Sequence, residues 1–112
     1  MSINQERVFN NEEIRDTSEH TSSQVYNGEF VIKTLIIENE LNQTATFQCQ
    51  GSANADFSNP FDIGSTWDVE ANSNIFQSCD TYIPYWRVIA SCATAPTTGD
   101  LTVIVLGVHG GG

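Results

Sequence analysis

The sequence has little positive charge. Only 4 lysine and arginine residues stand against 14 aspartate and glutamate residues, which gives a formal net charge of −10 at pH 7. A surface with this balance repels polyanions, so we expect neither nucleic acid nor an anionic membrane as a partner. Charged residues make up only 16% of the chain, and Asn, Thr, Ser and Gln are abundant. This composition is typical of all-β domains and poor for helices.

Long hydrophobic runs are also lacking. No stretch of the sequence approaches the roughly 20 apolar residues that a membrane helix needs. Residues 1–7 contain neither a basic region nor an apolar segment behind it, so we expect no signal peptide. We therefore expect synthesis in the cytoplasm of the cell that makes the protein.

The common catalytic motifs are missing as well. The sequence contains no G-x-S-x-G, H-E-x-x-H, P-loop or G-x-G-x-x-G pattern. Its two histidines, His20 and His109, lie in segments that we expect to be tails, whereas Ser/His/Asp catalysis needs a positioned histidine. We therefore expect no enzymatic activity, no catalytic residue and no cofactor.

Four carboxylates remain as candidates for a glycosidase-type pair or a Ca²⁺ site: Asp62, Asp68, Glu70 and Asp80. We expect all four to lie on solvent-facing positions, where acids are ordinarily just hydrated charges.

The three cysteines, Cys49, Cys79 and Cys92, have no C-x-x-C spacing. A zinc site needs about four ligands, so we expect no metal site. We expect three reduced thiols, with Cys49 and Cys92 acting as small core residues. One disulfide, formed from Cys79, is the alternative if the protein meets oxidising conditions.

Short apolar segments separated by polar turns dominate what is present. The strongest pair is residues 82–92, which alternate, and residues 101–108, which are almost continuously apolar. Pro96 and Gly99 lie between them and allow the chain to reverse. Further strands are expected at residues 30–38, 44–50, 61–63 and 66–71. The pattern predicts an all-β fold, an antiparallel β-sandwich that is jelly-roll-like, with an extended N-terminal arm.

The strand pattern divides the chain into three parts: a polar N-terminal arm at 1–26, a β-sandwich domain at 27–108 and a flexible glycine tail at 109–112. Within the domain, residues 51–60 form a candidate contact loop and residues 72–80 an irregular crossing. The expected core is apolar and strand-borne: Phe30, Ile36, Phe47, Trp67, Val69, Trp86, Val88, Leu101, Val103 and Val105.

The apolar residues on the second faces of the strands exceed what one two-layer domain covers. This surplus predicts contacts with other subunits. The N-terminal arm has too few apolar residues for a core of its own, so we expect it to order on a neighbour. The candidate interface residues are Phe9, Ile14, Ile37, Tyr85, Arg87, Ile89, Ile104 and Leu106.

Two stretches carry a resemblance to a known class of protein. Residues 35–52 contain an E-N-x-L-x-Q strand-turn-strand pattern, and residues 82–103 contain P-Y-x-R-V followed by A-P-T-x-G-x-L-T-V. The chain thereby resembles small β-sandwich virion proteins of tailed viruses, of the head-decoration or tail-associated type. The resemblance implies a non-enzymatic structural subunit of a bacteriophage-like particle, made in the host cytoplasm and built into the virion. It also implies partners: other copies of the chain, as a trimer or other multimer, and a capsid or tail lattice.

A carbohydrate-binding or adhesin module is the alternative. Tyr82 and Tyr85 are the candidate glycan contacts, together with the loop at residues 51–60, because aromatic side chains can form a platform for sugar rings.

Overall fold

Nine antiparallel β-strands and no helix make up the residues that the computed structural model describes, which are 3–26, 30–78 and 83–109. The strands are β1 (Ile3–Glu12), β2 (His20–Thr21), β3 (Val25–Tyr26), β4 (Phe30–Asn39), β5 (Ala45–Ser52), β6 (Phe61–Val69), β7 (Ser73–Ser78), β8 (Tyr85–Ser91) and β9 (Leu101–His109). Over these ranges no helix is long and apolar enough to cross a membrane.

The strands form two sheets. Sheet 1 has the order β1-β9-β4-β7, and sheet 2 has the order β2-β8-β5-β6, with β3 also paired to β8. Because β2 and β3 both pair with β8, they act as two pieces of one edge strand. Counting them as one, the sheets read 1-8-3-6 and 2-7-4-5, which is the strand order of a jelly roll. The predicted antiparallel β-sandwich is confirmed.

Consecutive strands mostly lie in different sheets. The connections after β4 and after β8 each cross from one layer to the other. The expectation of a local reversal between residues 82–92 and 101–108 is therefore wrong in detail: β8 pairs with β5, and β9 pairs with β1 and β4. The length of a loop limits only the distance between the two strands that it joins. Which sheet the second strand enters depends on where its apolar side chains can be buried.

The core lies between the sheets. Most of the predicted core is buried there: Phe47, Val69, Trp86, Val88, Leu101, Val103 and Val105. Trp67 is partly buried and packs against this cluster, and the Phe30 side chain lies outside the described residues. Ile36 is the wrong member of the list. Leu35 and Ile37 point inward, so alternation turns Ile36 to the outer face of sheet 1.

The N-terminal segment belongs to the sandwich, which corrects the predicted arm. β1 pairs with the edge of β9 from Ile3 opposite Val108 to Glu12 opposite Leu101. β2 and β3 then complete the edge of sheet 2. The apolar residues of this segment are few, but most are buried: Val8, Phe9, Ile14 and Val25. Pairing with an existing sheet edge supplies the backbone partners, so a sparse apolar pattern suffices.

Two boundaries differ from the prediction elsewhere. Residues 61–69 form one strand rather than two, because Gly64 with φ of +70° is accommodated inside β6. The stretch expected to be an irregular crossing contains β7, whose pairing with β4 brings Ile75 against the core. Cys79 and Asp80 lie outside the described residues, as does the expected tail except His109, which ends β9.

The crossing loops, which are the loops after β4 and after β8, contact each other at one end of the sandwich. The buried Asn39 amide donates to the carbonyl oxygens of Gln43 (3.2 Å), Val69 (3.0 Å) and Glu70 (3.1 Å), and its oxygen accepts the Leu41 N–H at 3.1 Å. This one side chain therefore ties the end of β4 to the end of β6. A Cβ on Gly99 would overlap the backbone of Glu40, so the loops approach as closely as glycine allows.

Candidate functional site

The outer surface of sheet 1 carries a row of apolar side chains and is the first candidate site. Strand register and alternation show which side chains of sheet 1 point away from sheet 2. We call this set the sheet-1 face: Gln5, Arg7, Thr34, Ile36, Glu38, Asn74, Phe76, Ser78, Thr102, Ile104 and Leu106. Its middle row crosses all four strands in the order Arg7, Ile104, Ile36, Phe76. Side chains in such a row are direct cross-strand neighbours.

Beyond Arg7, the middle row is apolar and partly open to solvent. Phe76 is 73% exposed, whereas Ile36 is half-buried and Ile104 is buried beneath its neighbours. Leu106, half-buried, extends the apolar strip one row along β9. The row therefore presents an exposed phenylalanine at the end of an isoleucine pair.

The described side chains of the sheet-1 face carry almost no net charge. Arg7 and Glu38 are its charged members, and their charges cancel, although the whole chain carries −10. Neither makes an ion pair within the described part of the chain. Acids are therefore placed elsewhere on the molecule, and this face can approach another protein without strong repulsion.

The outer surface of sheet 2, which we call the sheet-2 face, has the opposite character. A hydrogen-bonded ladder runs across β8, β5 and β6: Arg87 donates from Nε and Nη2 to Gln50 Oε1 at 3.0 and 2.9 Å, and Gln50 Nε2 donates to Asp62 Oδ1 at 3.1 Å. Further along the same β5–β6 pair, Thr46 Oγ1 donates to Asp68 Oδ1 at 2.7 Å. These bonds hold the polar side chains in place and leave two carboxylates at the rim.

The loop at residues 51–60 folds onto this face. The Phe57 ring is buried under the Arg87 guanidinium, whose Cζ lies 4.1 Å from the ring centroid. Asp56 accepts the Ser58 N–H at 3.0 Å, and this bond lowers the pKa of the Asp56 carboxyl. The predicted contact loop thus covers part of the sheet while its own tip stays exposed.

Two tyrosines lie side by side on the sheet-2 face. Tyr26 and Tyr85 are paired across β3 and β8, with ring centroids 5.2 Å apart, and Tyr26 is 55% exposed. The pair gives the carbohydrate-binding alternative an aromatic surface. Tyr82, the other predicted glycan contact, lies outside the described residues.

A polar groove of about 310 Å³ lies where β1 meets the β2 segment. Arg7, Glu12, His20 and Thr21 are among the residues that line it. His20 Nε2 lies 2.8 Å from Asp16 Oδ1, and this hydrogen bond is the main cause that lowers the pKa of Asp16. The histidine is therefore engaged with a neighbouring acid beside the groove.

Reactive chemistry is sparse over the described ranges. They contain no group of three or more His, Cys, Asp and Glu side chains placed to hold a metal ion. Asp62, Asp68 and Glu70 are all exposed, as expected. Cys49 and Cys92 are buried, and burial raises the pKa of the Cys92 thiol, which makes it a poor nucleophile.

The predicted interface residues fall into three groups. Phe9, Ile14 and Ile37 are buried in the chain's own core, so the expectation that they are free for contacts is wrong. The sequence does not show which way these side chains point. Phe9 and Ile14 are isolated apolar residues in a polar segment, and Ile37 lies in a strand that is apolar on both faces. The other two groups are surface sets, one on each sheet.

Tyr85, Arg87 and Ile89 lie on the sheet-2 face, each half-buried. Ile104 and Leu106 lie on the sheet-1 face. Their role as contacts stays a prediction. Phe76 was missed because its segment is polar; the adjacent apolar pair Ile75 and Phe76 was the available signal, since alternation forces one of the two outward.

No protein-family model matches the chain, and no curated protein matches it. Among solved structures, the chain is similar to the crystal structure of PirA, with a TM-score of 0.55 and 17% identity over 93% of this chain and 92% of that chain. It is also similar to a chain in the structure of infectious bursal disease virus, Gx strain, with a TM-score of 0.40 and 10% identity over 99% of this chain and 34% of that chain. The first likeness supports the sandwich fold and nothing finer, and the second is too low to carry an argument.

Proposed function

We propose that the protein is a non-enzymatic virion structural protein, a capsid-decoration or tail-associated subunit that docks on a protein lattice. The sheet-1 face is the single observation that carries the proposal. It combines an exposed phenylalanine, an isoleucine pair and near-zero local charge on a chain that is otherwise strongly acidic. Such a face is suited to being covered by protein.

The fold is compatible with this role but does not establish it. Jelly rolls occur in viral capsid domains and in lectins, and the same architecture hosts unrelated functions. The motif resemblance in residues 35–52 and 82–103 favours the virion reading over the others. The sparse reactive chemistry of the described residues gives no competing active site to propose.

The proposal predicts that the chain is a component of virus particles. Particles purified on a density gradient from infected cells should contain it in stoichiometric amount, as measured by quantitative mass spectrometry. Phe76→Thr should reduce incorporation, because it removes the most exposed apolar side chain of the sheet-1 face. Phe61→Thr is the matched control, since Phe61 is 47% exposed but lies on β6 of sheet 2.

Two results would contradict the proposal. The first is a chain that stays entirely in the soluble fraction of infected cells. The second is equal loss of incorporation in the Phe76→Thr and Phe61→Thr variants, which would indicate a general effect of removing aromatic rings rather than a docking face.

A carbohydrate-binding role is the second candidate, favoured by the paired rings of Tyr26 and Tyr85. It predicts glycan-array binding by the whole chain that Tyr26→Ala abolishes and Phe76→Thr leaves intact. If the chain binds no glycan on the array and is incorporated into the lattice, the carbohydrate-binding role is excluded.

A further inference from the structure

We infer that the sheet-1 face is the contact surface between two copies of this chain, related by a twofold axis that runs parallel to the strands. In this arrangement Arg7 of each copy lies over the Phe76 ring of the other. The inference rests on the proposed function. It names a second copy of the chain as the partner that covers the sheet-1 face within the assembly.

The order of the middle row carries the inference. Across sheet 1 the row reads Arg7, Ile104, Ile36, Phe76. A twofold axis parallel to the strands keeps each row in place and reverses the strand order. Arg7 then faces the aromatic ring of Phe76 in the other copy, and Ile104 faces Ile36. Every member of the row meets a suitable partner, since a guanidinium over an aromatic face and an apolar pair are both favourable contacts.

A twofold axis perpendicular to the strands is disfavoured by charge. An axis perpendicular to the strands keeps the strand order and places Arg7 opposite Arg7 and Phe76 opposite Phe76. Like charges directly opposite each other are destabilising. The order of side chains along the row therefore favours an axis parallel to the strands over one perpendicular to them.

Net charge also points to a second copy at this face. Two copies that each carry −10 repel unless they meet where acids are few. Among the described side chains, the sheet-1 face offers one acid, Glu38, balanced by Arg7, whereas the sheet-2 face carries two acids, Asp62 and Asp68, against Arg87. A basic partner would find better complementarity at the acidic rim of sheet 2. The neutral face fits a surface as neutral as itself.

The size of the face sets the expected affinity. Four strands about 4.8 Å apart, with some 20–30 Å of strand length, present about 400–600 Å² in each copy. The pair would bury about 800–1,200 Å² in total, at the low end for specific interfaces. We therefore expect a reversible dimer whose population depends on protein concentration.

Sedimentation equilibrium of the full chain over a range from about 1 µM to 1 mM tests the inference. The unmodified chain should shift from monomer to dimer within this range. Phe76→Thr should raise the dissociation constant about 30-fold or more, because each dimer loses two such contacts. Phe61→Thr should leave it unchanged. Circular dichroism confirms that each variant is folded.

The Arg7→Gln variant distinguishes an axis parallel to the strands from one perpendicular to them. In the proposed arrangement it removes a favourable contact with an aromatic ring and weakens the dimer. In the perpendicular arrangement it removes a repulsion and strengthens the dimer. A stronger dimer would overturn the inference, as would a chain that stays monomeric at 1 mM or a dimer insensitive to Phe76→Thr.

Failure of the inference and failure of the proposed function give different results. If the chain is monomeric but still enters particles in a Phe76-dependent way, a lattice protein occupies the sheet-1 face. That result would contradict the inference and support the proposed function. A Phe76-dependent dimer absent from particles would do the reverse.

Discussion

Replacing Ile14 with alanine tests whether the N-terminal segment is part of the core or a contact arm. Ile14 lies between β1 and β2, in a stretch whose other side chains from Asn11 to Glu19 are exposed. Its own side chain is 0% exposed and belongs to the central cluster. A contact arm would lose assembly and keep its stability, whereas a core residue would lose stability.

The structure sets the size of the expected loss. Truncating a fully buried isoleucine to alanine costs about 2–5 kcal/mol, from lost burial and the cavity left behind. The unfolding entropy is about 2.1 cal/mol/K per residue, which gives roughly 0.24 kcal/mol/K for 112 residues. The melting temperature of Ile14→Ala should therefore fall by roughly 8–20 °C.

Urea unfolding followed by tryptophan fluorescence measures this loss directly. Trp86 is fully buried and reports the opening of the core. Thr17→Ala is the matched control, because Thr17 lies in the same stretch and is exposed. We expect the control to change stability by less than about 0.5 kcal/mol. If Ile14→Ala and Thr17→Ala have equal midpoints, the packing of residues 3–26 into the sandwich is refuted.

Two further predictions concern the crossing loops. Gly99→Ala should destabilise the fold by about 2–5 kcal/mol, since φ is +86° and the new Cβ overlaps the Glu40 backbone. Gly64→Ala is the control, because Gly64 has φ of +70° but lies in open space, and it should cost only about 1–2 kcal/mol. Equal losses of stability in differential scanning calorimetry would contradict the close approach of the two loops. Asn39→Asp should cost about 3–5 kcal/mol at pH 7, because a buried carboxylate would face three carbonyl oxygens. Burial there would raise the pKa of the new carboxyl in the folded state, so this variant should regain stability as the pH falls toward 4, and a pH-independent loss in urea titrations would contradict it.

The sequence located most of the strands and many of the core residues. Alternation in residues 82–92 and 44–50 fixed which side of each strand is apolar, and Trp86, Val88 and Phe47 are buried as expected. Alternation is a local property with a period of two residues, so it can be read without knowing the partner strand.

The candidate contact surface was less accessible to the sequence. β4 and β9 are apolar on both faces, so their pattern does not reveal which residues point inward. Ile36 was therefore expected in the core and Ile37 at the surface, and the structure reverses the two. Phe76 became part of the surface only through the pairing of β7 with β4.

The sequence by itself determined the all-β class, the acidic surface and the positions of most strands, because these follow from composition and short-range periodicity. Only the tertiary structure decided which sheet each strand joins, that the polar N-terminal segment closes both sheet edges, and that Arg7, Ile104, Ile36 and Phe76 form one row. These are pairings between residues as far as about 100 positions apart in the chain. Such pairings depend on how well whole faces fit together, which no local window of sequence contains.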